Sequence, residues 1–203
     1  MRLFSYVVAR DYGFAPNPFG GICTLATCKP IIRRMAQAGD WIVGTGSAAN
    51  KRAGYLVYAM KVSEAITFDE YWSDPRFLLK RPSLRSSKKL AFGDNIYSRA
   101  NGKAQWSQLD SHHSMKDGSP NPRNIANDTQ TNRVIIGAEF VYWGAEGPKI
   151  PESFRNCHGQ DVCAGRGHKS KFSQALVNEF VAWILSDPTR GYSGEPADWK
   201  KSP

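Results

Sequence analysis

No run of apolar residues in this chain approaches the roughly 20 that would cross a bilayer, which predicts no membrane partner. The N-terminus, Met1 to Arg10, alternates like a strand and closes on a charge. It lacks the apolar segment and small-residue cleavage site of a secretory leader, so the chain is expected to be cytoplasmic. Cysteine is scarce, at four residues, and cytosolic thiols stay reduced unless they bind metal or react. Zinc spacing is missing as well. Cys23 and Cys28 would face opposite ways in a strand-like run, and in the segment Cys157, His158, Cys163 and His168 five residues separate the two cysteines, where structural zinc prefers two to four. Neither a metal nor any other cofactor is expected. Gly44-x-Gly46 has no third glycine and no following helix at the right offset, which excludes the dinucleotide motif. No nucleophile, base and orienting group stand together, which weighs against an enzyme. A reactive Cys28 beside Lys29 needs a nearby histidine, and no histidine is its neighbour in the sequence. His112-His113 lies in a polar loop with Asp110 and Asp117, where solvated histidines are the common case.

Acidic residues are also unevenly missing. Residues 76–103 hold 8 basic groups (Arg76, Lys80, Arg81, Arg85, Lys88, Lys89, Arg99 and Lys103) against the single acid Asp94, whereas residues 104–203 balance at 11 against 11. Such a cluster suits a surface that displaces counterions from phosphates, and Arg76, Arg85, Lys88 and Lys89 are the phosphate-binding candidates. A solvated basic loop has the same composition.

What is present is an alternation of strands and helices ordinary for one globular domain. Strands are expected around Val7, over Asp40–Ser47, Gly54–Val62 and Arg133–Gly144, and helices from Pro30 to Ala38, after Asp69 and from Lys171 to Ser186. Residues 81–132 read as a loop-rich basic and polar insertion, and 191–203 as an extended tail. Between the first two strands, Asp11 to Gly20 breaks every period with glycine, proline and asparagine yet holds three aromatics. A base removed from its stack needs a flat wall and polar atoms at its edge. Tyr12 and Phe14 offer rings, Asn17 an amide, Asp11 an acceptor and Lys29 a cation. The plainer alternative is that Phe14 and Phe19 plug the end of a barrel while Asn17 caps a turn.

Helix, Gly39-Asp40, apolar strand, Gly44-Thr45-Gly46-Ser47 turn and second strand resemble the EVE-type and related PUA-like domains over about residues 30–80. Gly13-Phe14-Ala15-Pro16-Asn17-Pro18, Cys23-Thr24-Leu25-Ala26, Cys28-Lys29-Pro30, Gly39-Asp40-Trp41-Ile42-Val43-Gly44 and Gly191-Tyr192-Ser193-Gly194-Glu195-Pro196 are similar to the second nucleotide-modification-associated domain family. The resemblance implies an α+β fold with a small, PUA-like mixed β-barrel and flanking helices, and a base-binding pocket in which Ser47 stands beside the base. Thr45-Gly46 replaces the usual aromatic-histidine pair before that serine. It further implies phage or bacterial DNA base modification, with nucleic acid (DNA before RNA) or a modified nucleotide as partner. Three functions stay open: a module that binds a modified or flipped-out base, an enzyme that transfers or removes a group on a base, and a non-catalytic subunit of a modification assembly.

Overall fold

The computed structural model describes residues 1–99 and 105–200, so Lys103 of the basic cluster lies outside the described residues. In chain order the strands are β1 (Leu3–Val8), β2 (Cys23–Leu25), β3 (Trp41–Gly46), β4 (Leu56–Lys61), β5 (Glu64–Ile66), β6 (Tyr97–Ser98), β7 (Ser107–Gln108), β8 (Val134–Gly137), β9 (Glu139–Tyr142), β10 (His168–Lys169) and β11 (Gly191–Tyr192). The helices are α1 (Pro30–Met35), α2 (Phe68–Ser73), α3 (Lys88–Ala91), α4 (Pro122–Asp128) and α5 (Gln174–Ser186). The fold is mixed α+β, and among the described residues its strands make three sheets, none closed into a barrel. The expected β-barrel is thereby corrected: the largest sheet runs β10-β1-β3-β4-β9-β11 and ends in two-residue strands at both edges, so no pairing joins its first strand to its last. No described helix is long and apolar enough to cross a membrane.

The backbone groups into two compact units. The first comprises residues 1–12, 36–63 and 137–203. Its core forms where α5 turns Leu176, Val177, Phe180, Val181 and Ile184 onto Trp41, Val43 and Leu56 of the six-stranded sheet. These helical positions recur on one face, as a helix covering a sheet requires. The described part of the C-terminal segment, expected to be an extended tail, is tied in: β11 pairs parallel with β9, and the Ala197 amide donates to Asp11 Oδ2 at 3.0 Å.

The second unit comprises residues 13–35 and 64–136. Its sheet, β2-β8-β5, is joined by the small β6-β7 ribbon and by α1 to α4. The short acidic helix is capped by Thr67, whose hydroxyl accepts from the Glu70 amide while Glu70 reaches back to the Thr67 amide. The helix thus begins ahead of Asp69, not after it as the sequence predicts, and Asp69 binds the Arg99 guanidinium at 2.7 Å. Within the expected insertion, the described residues 81–99 and 105–132 include buried and hydrogen-bonded positions that the composition does not suggest. Asp94, Asn95, Ile96 and Tyr97 are buried there, and Asn95 Nδ2 donates to the Tyr71 and Phe77 carbonyls.

Candidate functional site

In the second unit, three residues far apart in sequence converge: Cys28, His113 and Asp128. Cys28 (φ 56°) and Lys29 (φ 42°) occupy the left-handed region in succession, just before Pro30 opens α1. For residues with a Cβ this costs about 1–2 kcal/mol each, so the surroundings must impose it. They do so through Asp128 Oδ1, which accepts from the Cys28 amide at 2.8 Å, and through Arg33 Nε, which donates to the Cys28 carbonyl at 2.8 Å. Arg33 is fully buried and also donates to the carbonyls of Arg133 (2.7 Å), Thr131 (3.4 Å) and Asp128. Burial lowers its pKa to about 10, against the opposing pull of Asp128.

Asp128 is the last residue of α4, whose start is fixed by Pro122 and by the Asn121 side chain accepting from the Arg123 and Asn124 amides. From the same helix Asn124 Nδ2 donates to the His113 carbonyl at 2.7 Å, so α4 places both the carboxylate and the histidine loop. His113 Nδ1 lies 2.8 Å from Asp128 Oδ2, and its Nε2 lies 3.7 Å from Cys28 Sγ. Tyr97 OH donates to the same Oδ2 at 2.9 Å. Burial alone would lower the His113 pKa, but hydrogen bonds to Asp128 and Cys28 and the charges of both raise it to about 9. Burial pushes the Asp128 carboxyl up, yet His113, the Cys28 amide and Tyr97 outweigh it and hold the carboxyl below its usual range. Sulfur, imidazole and buried carboxylate therefore form one ordered chain along which a proton can pass. Donor atoms of the three residues lie within 4.8 Å of one another, a spread compatible with a cation. Both imidazole nitrogens are already engaged, Nε2 with sulfur and Nδ1 with the carboxylate, so a cation could take the ring as a ligand only by breaking one of these contacts.

Aromatic rings gather beside this chain. Phe14 lies 4.6 Å from the His113 ring and 5.3 Å from His112, and Phe92 lies 5.3 Å from His112. His112 is exposed and Phe92 half-buried. His113 is therefore not the solvated loop residue that its polar surroundings in the sequence predict: its partner is Asp128.

The other expected site residues have defined tasks. Asn17 is buried, donates to the Phe92 carbonyl at 2.9 Å, and accepts from Lys80 Nζ at 2.8 Å and from the Phe19 amide at 3.3 Å. Its amide is thus engaged inside the unit, as the turn-capping alternative has it. Lys80 is no surface cation; it is buried, with burial lowering its pKa to about 8, and its remaining bonds go to the carbonyls of Asn17 and Ile22. Lys29 is half-buried beside Cys28, and burial lowers its pKa. In the first unit, Asp11 is buried, accepts from Tyr142 OH and the Ala197 amide, and donates its own amide to Asp198. The Tyr12 carbonyl accepts from Trp199 Nε1 at 3.0 Å, and Ser47 caps a short turn by accepting from the Asn50 amide at 3.3 Å. Of the phosphate candidates, Arg76 is held by Asp74 and Glu64, whereas Arg85, Lys88 and Lys89 are exposed.

No curated protein and no solved structure matches the chain significantly. The model of one family, nucleotide modification associated domain 2, matches residues 1–203, and the chain belongs to that family.

Proposed function

We propose that the protein acts in nucleotide modification by holding a modified or flipped-out base against the ring array of the second unit, with the attached phosphates on Arg85, Lys88 and Lys89. The observation that carries this reading is the continuity of α3: its two lysines are exposed, and the residue that follows it, Phe92, meets the His112 ring. Cations for a phosphate and a flat face for a base then stand on one short element. Phosphate contacts supply affinity, while the rings and the polar groups beside them supply selectivity. Arg76 contributes least in this scheme, because a phosphate would have to compete with two carboxylates for it. Of the base-binding candidates, Phe14 is buried and meets the two histidine rings edge-on or tilted, and Lys29 follows Cys28 in the chain. The basic cluster favours a polynucleotide, and the resemblance to a family associated with DNA base modification favours DNA before RNA.

The test is a salt titration of binding to a labelled single-stranded oligonucleotide. Replacing Arg85, Lys88 and Lys89 together with alanine is expected to reduce the slope of log K against log salt by about 2, since each phosphate contact on a single strand contributes about 0.7. An unchanged slope would remove this surface from the binding site.

A further inference from the structure

The polar groups beneath the rings do more than a reader of bases requires. A buried carboxylate that only closed a fold would need no histidine aimed at a thiol. Here Asp128 holds the backbone amide of Cys28 with one oxygen and the His113 ring with the other, so sulfur and imidazole are registered to each other through a single anchor. Cys28 is half-buried rather than sealed, and Nε2 lies within hydrogen-bond reach of its sulfur. Cys23, the other cysteine of the unit, shows the contrast: it is fully buried, and burial drives its pKa up to about 12. Its burial disfavours it as a resolving thiol for disulfide chemistry at Cys28, and a metal at the ring would have to break a contact that one of the two imidazole nitrogens already makes. A nucleophile, a proton carrier and a group that orients the carrier remain.

We infer that Cys28, His113 and Asp128 form a catalytic triad for acyl transfer, in which Cys28 takes the acyl group of an ester or amide and passes it to an amine. The proton of the thiol resides on His113 Nε2 when sulfur bonds to the carbonyl carbon and the carbonyl electron pair moves to oxygen. The pair returns, the bond to the alcohol or amine leaving group breaks, and His113 gives that group its proton. A thioester is left on Cys28. An incoming amine attacks it, His113 takes the amine proton, the carbon–sulfur bond breaks, and the thiol is regained. Cys28 and His113 are the catalytic residues. Asp128 is a positioning residue that fixes which ring nitrogen faces sulfur, and Tyr97 braces Asp128. Only the identity of the acceptor, an amine on a base, rests on the nucleotide reading above.

The experiment uses the whole chain and p-nitrophenyl acetate, with no nucleotide present. One acetyl group per chain is expected on Cys28, released by hydroxylamine as a thioester is, with Cys28 leading Cys157 and Cys163 by about tenfold or more. Cys28→Ser should abolish the labile adduct. His113→Ala should slow acetylation about 10²-fold, with added imidazole restoring part of the rate, a rescue that a merely structural histidine would not give. Should His113→Ala fail to fold, the ranking of the three cysteines in the unaltered protein still decides. Acetyl groups on lysines, Cys157 or Cys163 in preference to Cys28 would overturn the inference, as would a folded His113→Ala variant acetylated at the unaltered rate. Failure of oligonucleotide binding alongside a labelled Cys28 would instead remove the nucleotide reading and leave the triad standing.

Discussion

Arg33→Leu is expected to destabilise the protein by about 3–5 kcal/mol. The guanidinium is fully buried and donates to four backbone carbonyls, those of Cys28, Asp128, Thr131 and Arg133. Leucine fills part of the volume and satisfies none of them, and each stranded buried acceptor costs about 1–3 kcal/mol. The cation also lies 5.4 Å from the Phe68 ring, so its removal withdraws packing from α2 as well. Urea unfolding measures the loss as a lower midpoint at an unchanged slope. Arg33→Lys separates charge from geometry: one ammonium cannot reach carbonyls spread around a planar fork, so lysine should recover only part of the loss. Full recovery with lysine would mean that charge alone is what the site requires.

Asp128→Ala is expected to cost about 3 kcal/mol or more. It strands the Cys28 amide, the Tyr97 hydroxyl and the His113 ring at once, all within hydrogen-bond distance of a carboxylate with no exposure. It also frees Cys28 from the contact that offsets its left-handed backbone. Because the imidazole and the carboxylate act on each other, adding His113→Ala to Asp128→Ala should cost less than the sum of the separate changes. Strict additivity in a double-mutant cycle of urea midpoints would show that the two groups are not coupled.

Much of the framework was legible in the sequence because it rests on local periodicity. β1, β3, β4 and α5 fall inside the stretches that alternation and helical spacing mark, and Pro30 does open α1. The apolar run from Arg133 to Gly144 has the pattern of one strand, but it divides at Gly137 into strands of two different sheets. A Cβ on Gly137 would stand 2.9 Å from the Lys61 carbonyl oxygen, so glycine is what permits the close passage there. The site was far less legible. Cys28, His113 and Asp128 are separated by 85 and 15 residues, and no local pattern encodes their meeting. Lys80 looked like one more cation in a basic run, and only its burial distinguishes it. Asn17 looked like an edge reader because an amide suits that task, yet a buried lysine and a backbone carbonyl claim it first. The one usable signal for the triad was the motif Cys28-Lys29-Pro30, a reactive residue type just before a helix start.

The central claim, that the thiol, imidazole and carboxylate work as one coupled group, is tested most directly by titrating His113 by NMR in the unaltered protein and in Cys28→Ser. The expected midpoint in the unaltered protein is about 9. Since the folded value lies above the unfolded one, the stability this proton contributes is complete below about pH 6.5 and is lost as pH rises through about 9. In Cys28→Ser the midpoint should fall, because the sulfur's hydrogen bond and charge both help to raise it. A midpoint near the ordinary 6.5, unmoved by the serine, would contradict the coupling and with it the assignment of the site.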